Sequence, residues 1–240
     1  MANASQAKIH NQLLAGLPES DYQRLLPHLE SVELTHGKVL YEIGDPIEYV
    51  YFPFQAMVSL VTQMEDGKIV EVGLVGNDGM TGIASLMGQA TSSERALVQI
   101  PNGGARAKVA VVQQEFARGK EFQRFLLRYM NDLMRQISQT AACNASHTTE
   151  ERLARWLLMC HDRVASMKLN LTQEFIAEML GTRRATVNVA AITLQSGKLI
   201  DYNRGQITII DLPGLEAFSC ECYELLKKGF NGGRRNRARE

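Results

Sequence analysis

The sequence predicts an α+β protein in which an N-terminal half rich in strands precedes a mainly helical C-terminal half. Three observations lead to this prediction. Short β-rich runs alternate with turns between residues 32 and 112, and a long helical pattern follows over residues 113–143. Two short helices separated by Gly181 then precede a predicted hairpin. We therefore expect a β-barrel or sandwich, a connecting helix and a winged helix-turn-helix.

The N-terminal strands are predicted from runs of β-branched and aromatic residues that turn-forming sequences separate. Leucines at helical spacing over residues 9–30 predict a helical segment before them. Many short strands with regular turns are typical of a barrel or sandwich. The predicted strands are Val39–Tyr41, Tyr49–Phe52, Val58–Val61, Val70–Val75, Ala96–Ile100 and Lys108–Val112.

The predicted helix over residues 113–143 has an apolar seam whose members are separated by steps of four and three, as in a heptad repeat. A seam this short also fits a helix that packs against its own barrel. Dimerisation is preferred, because helix-turn-helix proteins usually bind two half-sites through a twofold axis. A hinge is expected over residues 144–149. The predicted dimerisation residues are Leu126, Met130, Leu133, Ile137 and Thr140.

Residues 171–210 predict a helix-turn-helix followed by a hairpin wing. Thr172 is a good cap for the first helix, Gly181 is suited to the turn, and a second helix extends to Gln195. The Asn and Gly of residues 203–205 then join two short strands, as in a hairpin. A helical hairpin with solvated arginines explains the two helices alone, whereas the added wing favours DNA binding.

Polar side chains on this unit have the chemistry that base edges and phosphates require. Arg donates two parallel hydrogen bonds to guanine, Asn pairs with adenine, and Thr or a helix N-terminus holds phosphate oxygens. An arginine at the wing tip is expected to contact phosphate. The predicted DNA-binding residues are Thr172, Gln173, Arg183, Arg184, Thr186, Asn188 and Arg204.

The composition predicts a cytoplasmic protein without a membrane-spanning segment. The 240 residues are 45% hydrophobic, yet no apolar run approaches the ~18 residues that span a bilayer. Net charge is zero, but residues 1–145 carry 12 basic and 15 acidic groups (−3), whereas residues 146–240 carry 14 and 11 (+3). The basic excess thus lies with the predicted DNA-binding part. Its last eight residues, 233–240, contain four arginines and are interpreted as a solvated tail.

Neither a metal site nor an enzyme is predicted. Cys220 and Cys222 form a C-x-C pair that suits metal binding or oxidation, but without a neighbouring His or third Cys in sequence they are interpreted as ordinary thiols. Cys143 and Cys160 are interpreted as small core residues. The histidines, including His147, show no ligand spacing. No nucleophile elbow, phosphate loop or pair of catalytic carboxylates is present.

The whole chain resembles the Crp/Fnr family of bacterial transcription regulators, most specifically over residues 171–177 and 181–187. The resemblance implies a jelly-roll-like β-roll of cyclic-nucleotide-binding type over 1–112, a dimerisation helix and hinge over 113–145, and a winged helix-turn-helix over 146–240. The implied function is sequence-specific DNA binding by a homodimer that regulates transcription. Its implied partners are an inverted-repeat operator and RNA polymerase, and a signal at the roll is implied as the control.

The same resemblance implies that Arg184 contacts a base and that Thr186 and Gln173 contact phosphate. Better-known members have Glu and Arg where this chain has Ala185 and Val189, so a different target sequence is expected.

The roll lacks the Gly-Glu and Arg-Ser pairs that hold cyclic AMP, and Glu94 beside Arg95 would repel a phosphate. No cysteine precedes Cys143, which also argues against the family's iron–sulfur cluster. No cofactor is predicted, and the effector is unknown. Two alternatives stay open: a ligand-sensing module that acts through protein contacts instead of DNA, and a DNA-binding protein whose roll is purely structural.

Overall fold

The computed structural model describes residues 10–227, which divide into two units. The first unit contains the chain up to Thr62 together with Leu74–Asn131. The second contains Gln63–Gly73 together with the chain from Asp132 onward. The three-part division expected from the sequence stays a prediction, and the basic tail over 233–240 lies outside the described residues.

Seven strands form two sheets in the N-terminal part of the chain. They are β1 (Glu30–Leu34), β2 (Val39–Tyr41), β3 (Tyr49–Pro53), β4 (Met57–Gln63), β5 (Ile69–Val75), β6 (Arg95–Ile100) and β7 (Asn102–Lys108). One sheet has the order β1-β7-β3 and the other the order β2-β6-β4-β5. Side chains such as Val50, Phe52 and Val58 are buried between them. The predicted α+β fold with an N-terminal β-roll is confirmed.

Among the described residues, the segment before the roll is helical, as predicted, and is divided into two short α-helices and a 3-10 helix. The side chain of Asn11 is fully buried, and its amide donates hydrogen bonds to the carbonyl oxygens of Pro53 and Gly79, both at 2.9 Å. Asn11 therefore ties the start of this segment to two loops of the roll. The elements are α1 (Gln12–Ala15), α2 (Glu19–Leu25) and a 3-10 helix at Leu26–His28.

Two helices also replace the single helix predicted over 113–143. They are α3 (Val109–Ala117) and α4 (Lys120–Ser146). Gly119 lies between them, and it and Lys120, the first residue of α4, have φ values of 72° and 59°, in the left-handed region that ends a helix.

The strand predicted over 108–112 is wrong. Its β-branched residues favour a strand, but the chain is helical from Val109 onward, and Val109 and Val112 are both buried at helical spacing. Burial of one helix face here overrides the strand preference of the valines.

The second unit contains α5 and the winged helix-turn-helix. A capping box formed by Thr148 and Glu151 begins α5. Of the predicted hinge over 144–149, only residues 147 and 148 therefore lie between the two helices. The short strand β8, which the sequence did not predict, makes the wing three-stranded with the order β8-β10-β9. Residues 222–227 are again helical. The elements are α5 (Thr149–Val164), β8 (Lys168–Asn170), α6 (Gln173–Met179), α7 (Arg184–Ser196), β9 (Ile200–Asn203), β10 (Gln206–Ile209) and α8 (Leu212–Phe218).

One face of α5 is apolar and buried. Leu153, Leu157 and Cys160 are fully buried, and Trp156 is 2% exposed. The indole Nε1 of Trp156 donates a hydrogen bond of 2.9 Å to Glu71 Oε1, within the same unit. The first half of β5 is thereby attached to α5.

Three of the five residues predicted to form the dimerisation seam of α4 are buried within the chain. Leu126, Met130 and Leu133 are 2–6% exposed within a single chain, because the most apolar face of the helix packs into the chain's own fold. Dimerisation stays a prediction, but these residues leave little surface for a partner. Ile137 and Thr140 are half-buried.

Within residues 10–227, no helix is both long enough and apolar enough to cross a membrane.

Candidate DNA-binding site

The helix-turn-helix is built from α6 and α7. The Thr172 side chain accepts a hydrogen bond from the Phe175 N–H at 3.2 Å and caps α6, as predicted. Gly181, with a φ of 59°, makes the turn, and an added Cβ would lie 3.1 Å from the Val70 side chain. A larger residue would therefore be disfavoured both by the backbone conformation and by the close contact. Arg183 is the N-cap residue of α7.

The outward face of α7 combines polar and apolar side chains. Arg184 and Asn188 are exposed and Thr186 is half-buried. Val189 and Ile192 are 56% and 55% exposed, which is high for apolar residues in a domain of this size. This face can therefore donate hydrogen bonds to base edges and also contact thymine methyl groups.

A groove of about 520 Å³ runs between the start of α6, the start of α7 and the wing. The guanidinium groups of Arg184 and Arg204 line it, together with the single carboxylate of Glu174. The N-terminus of α6 adds its backbone N–H groups and the positive end of its dipole. A groove of this charge suits a phosphate backbone. The full lining is Thr172, Gln173, Glu174, Arg184, Tyr202, Arg204 and Gly205.

The wing tip is held against the start of α6. Arg204 and Gly205 both have positive φ, 48° and 81°, as in a type I′ hairpin turn. The Gly205 carbonyl accepts a hydrogen bond of 2.8 Å from the Leu171 N–H, and the Tyr202 hydroxyl donates one of 2.9 Å to the Leu171 carbonyl. Burial raises the pKa of Tyr202, and the nearby positive charge of Arg184 opposes this shift. The tyrosine stays neutral and anchors the wing.

Two of the predicted DNA-binding residues form a hydrogen bond with each other. The Gln173 Nε2 donates a hydrogen bond of 2.9 Å to the Asn188 Oδ1. Asn188 keeps its amide N–H groups and the second lone pair of Oδ1 for a base. Gln173 therefore fixes the direction of the Asn188 amide before DNA arrives.

The structure brings most of the predicted DNA-binding residues together. Thr172, Gln173, Arg184 and Arg204 line the groove, and Asn188 joins them through Gln173. Arg183 and Thr186 lie at the start of α7 but outside the lining. The sequence did not predict the two other side chains of the groove, Glu174 and Tyr202. Nothing in the local sequence indicated that the second residue of α6 or a tyrosine of the hairpin would line it. That these residues contact DNA stays a prediction.

Residues 79–95 of the roll correspond, by the resemblance, to the segment that binds a nucleotide. Within this described segment, no basic side chain is left unpaired to hold a phosphate. Arg95 forms an ion pair of 2.7 Å with Glu42. The Tyr129 hydroxyl of α4 accepts a hydrogen bond from the Met80 N–H at 3.0 Å and donates one to the Met80 carbonyl at 2.7 Å. The loop after β5 is thus attached to the long helix by one tyrosine.

A separate cluster lies at the end of α4. The sequence interpretation of Cys220 and Cys222, without a His or a third Cys beside them, needs correction here. The structure brings Cys143 and His147 to this pair, and the four ligand atoms lie within 4.8 Å of one another. The pKa of the Cys143 thiol is lowered to about 5, chiefly because Cys220 donates a hydrogen bond to it. The signal was absent from the sequence because 77 positions separate Cys143 from Cys220.

The C-terminal part of the chain, which contains the groove, is similar to a known domain. Residues 151–218 match the family model of the Crp-like helix-turn-helix domain. The chain is 27% identical over 194 residues to the global nitrogen regulator of Nostoc sp., covering 76% of this chain and 85% of that protein. It is 28% identical over 220 residues to the transcriptional regulatory protein btr of Bordetella pertussis, covering 84% and 86%.

The fold is also similar to that of a solved structure. FixK2 from Bradyrhizobium japonicum superimposes with a TM-score of 0.69 at 18% identity, covering 80% of this chain and 98% of that one. The two curated relatives are named as regulators, which agrees with the sequence prediction of a regulator and not an enzyme.

Proposed function

We propose that this chain, a DNA-binding transcription regulator of the Crp/Fnr family, binds an inverted-repeat operator as a cytoplasmic homodimer. The observation that carries the proposal is the groove between the recognition helix and the wing, which both Arg184 and Arg204 line. In this arrangement α7 enters the major groove and the wing follows the phosphate backbone. Two such units related by a twofold axis would bind half-sites about one DNA turn, ~34 Å, apart.

The recognition helix has the residues for a mixed readout. Arg184 is assigned to guanine O6 and N7, and Asn188 to adenine N6 and N7. Val189 and Ile192 are exposed on the same helix and suit thymine methyl groups. Thr172, Thr186 and Arg183 are assigned to phosphates. An operator that combines a guanine with A·T pairs in each half-site follows from these assignments.

The dimer surface is assigned to the exposed seam of α4. Leu127 and Met134 are 49% and 59% exposed on this helix, seven residues apart. The seam continues at steps of four and three, and its C-terminal members are small, so that two helices can approach closely. Its members are Leu127, Asn131, Met134, Ser138 and Ala141.

We assign control of DNA binding to a signal received at the roll. The signal would shift α4 and, through residues 147–148, change the position of the recognition helix. Tyr129 joins the loop after β5 to α4, which supports α4 as the element that moves. Coupling of this kind typically amounts to ~1–3 kcal/mol. RNA polymerase is the proposed protein partner, and the effector is left unassigned.

The test is selection of bound duplexes from a random DNA pool at physiological salt. Wild type should enrich an inverted repeat, and Arg184→Ala should lose the preference at one position in each half-site. The matched control is Arg118→Ala, which removes an exposed arginine that pairs with Glu115 on α3 and is not among the residues that line the groove. If Arg118→Ala weakens selection as strongly as Arg184→Ala, the assignment of base reading to Arg184 is wrong.

Enrichment of a single unrepeated site would contradict the homodimer. If no sequence is enriched, even after addition of cell extract to supply an effector, the groove does not read DNA and protein contacts become the better explanation.

A further inference from the structure

Four side chains from distant parts of the sequence converge beside the α4–α5 junction. Cys143 lies in the last turn of α4, His147 follows that helix, Cys220 follows α8, and Cys222 begins the helical residues 222–227. The three cysteines are buried, and the histidine side chain is 17% exposed. All four belong to the second unit. No disulfide joins them in the described part of the chain.

Their spacing fits a single tetrahedral ion. The Cys143 and Cys220 Sγ atoms are 3.5 Å apart, and the Cys222 Sγ is 3.6 Å from the His147 Nδ1. Bonds of ~2.3 Å to sulfur and ~2.0 Å to nitrogen in a tetrahedral zinc site give S···S and S···N separations of about 3.8 and 3.6 Å. A cluster of several iron atoms spreads its ligands further than this. Mononuclear coordination therefore fits the cluster best.

Groups around the cluster orient its ligands as metal sites require. The His147 Nε2 lies 3.1 Å from Glu221 Oε2, so the carboxylate holds one ring nitrogen and leaves Nδ1 facing the thiols. A carboxylate on the second nitrogen of a ligating histidine is the usual arrangement in zinc sites. The Gln139 amide donates a hydrogen bond of 3.0 Å to the Cys222 Sγ, which stabilises a thiolate.

The charge around the cluster also favours an anion. Arg152 and Arg155 are 8% and 2% exposed, and neither pairs with a carboxylate among residues 10–227. Both lie close enough to Cys143 for their charges to act on its thiol. A buried guanidinium without a counter-charge is unfavourable. Three thiolates and one Zn²⁺ carry one net negative charge, which would neutralise part of this excess.

We propose that Cys143, His147, Cys220 and Cys222 bind a structural Zn²⁺ ion. Thiolate and imidazole are the ligands that zinc prefers, and four protein ligands leave no open position for catalysis. Binding displaces the protons of those thiols that are still protonated, so affinity falls as pH falls. The ion would join the end of α4 to the segment after α8. This inference is independent of the proposed DNA operator.

The test uses the full chain, purified in the presence of a reductant, with its zinc content measured by mass spectrometry. The metal-stripped chain is then titrated with Co²⁺. We expect a single ion per chain and the intense visible absorption of tetrahedral cobalt with thiolate ligands. Either the absence of stoichiometric binding or the weak spectrum of octahedral cobalt overturns the proposal, as does purification with iron and sulfide in place of zinc.

Variants locate the ion. Cys220→Ser and His147→Gln should lower the zinc content at least tenfold, and Glu221→Gln should lower zinc affinity about 10–100-fold. Cys160→Ala is the matched control, because this fourth cysteine is buried outside the cluster, and it should keep its zinc. Circular dichroism identifies any variant that does not fold, and the wild-type cobalt spectrum then decides alone. Zinc retained equally by Cys220→Ser and Cys160→Ala places the ion elsewhere.

Discussion

At the scale of single residues, the hydrogen bond between Gln173 and Asn188 determines how the reading face is presented. Asn188 is exposed, and an exposed amide samples several rotamers and loses that freedom on binding. Gln173, at the start of α6, holds the Asn188 oxygen at 2.9 Å. The amide is therefore oriented before it meets a base, and the two helices of the motif share one recognition position.

Gln173→Ala should relax the base preference assigned to Asn188 without abolishing DNA binding. Loss of the orienting bond should reduce discrimination at that position by about 0.5–1.5 kcal/mol, the usual net worth of one hydrogen bond. Competition between operators that differ at a single base pair measures it. Gln195→Ala, on the exposed far end of α7, is the control. An equal loss of affinity for every operator would instead assign Gln173 to a phosphate.

Glu71 should matter for stability through the indole of Trp156. Glu71→Leu leaves the buried Trp156 Nε1 without its acceptor, which typically costs ~1–3 kcal/mol. Glu71→Gln retains an acceptor oxygen and should cost less. Urea unfolding of the two variants provides the comparison. If both lower the free energy of unfolding equally, the carboxylate charge and not the hydrogen bond is the stabilising feature.

At the scale of elements, the capping box of α5 begins the helix next to the α4–α5 junction. The Thr148 side chain accepts from the Glu151 N–H, while the Glu151 carboxylate accepts from Thr148. These hydrogen bonds lower the pKa of Glu151. The stability contributed by Glu151 is therefore present above the unfolded carboxylate pKa and is lost as pH falls through the folded value.

Thr148→Ala should lower the free energy of unfolding by roughly 0.5–2 kcal/mol, as for other N-cap residues. Thr148→Ser keeps the accepting oxygen and should retain most of the stability. Thermal unfolding at neutral pH and at a pH below the Glu151 pKa measures both variants. The deficit of Thr148→Ala relative to wild type should shrink at the lower pH, because the hydrogen bond that the Thr148 hydroxyl donates to the Glu151 carboxylate is already weakened there. A deficit that is independent of pH would argue against a contribution from this hydroxyl–carboxylate bond.

The seam of α4 provides a second prediction at this scale. Met134→Glu adds a charge to an exposed position, so it should leave the fold of one chain intact while preventing two helices from packing. Sedimentation should then show a monomer with weakened operator binding. Arg128→Gln, at an exposed position of the same helix outside the seam, changes the charge by the same amount and is the control. A Met134→Glu protein that remains dimeric would place the interface on another surface.

Local patterns explain why some elements were predictable and others were not. Thr172, Gly181 and the turn at Arg204 each act within a few residues, so the helix-turn-helix and its wing follow from the sequence. The break at Gly119 was missed because apolar residues keep helical spacing on both sides of it. The cysteine cluster was missed because only the tertiary fold brings Cys143 to the segment after α8.

At the scale of the whole molecule, twofold symmetry should double every phosphate contact. The logarithm of DNA affinity falls with the logarithm of salt concentration by about 0.9 for each phosphate neutralised. Arg204→Ala should therefore reduce this slope by about 1.8 in a dimer and only about 0.9 in a monomer. Binding measured over a range of salt concentrations distinguishes the two. An unchanged slope would mean that the wing tip does not contact phosphate.

The exposure of Leu127 and Met134 also implies that the stability of the fold depends on the concentration of the protein. If a second chain covers these side chains, dilution favours chains that leave them in water, and each such chain is less stable than the pair. The midpoint of thermal unfolding should then rise with protein concentration instead of being a fixed property of the sequence. In a cell, the amount of this protein would determine both how much operator is occupied and how long each copy survives.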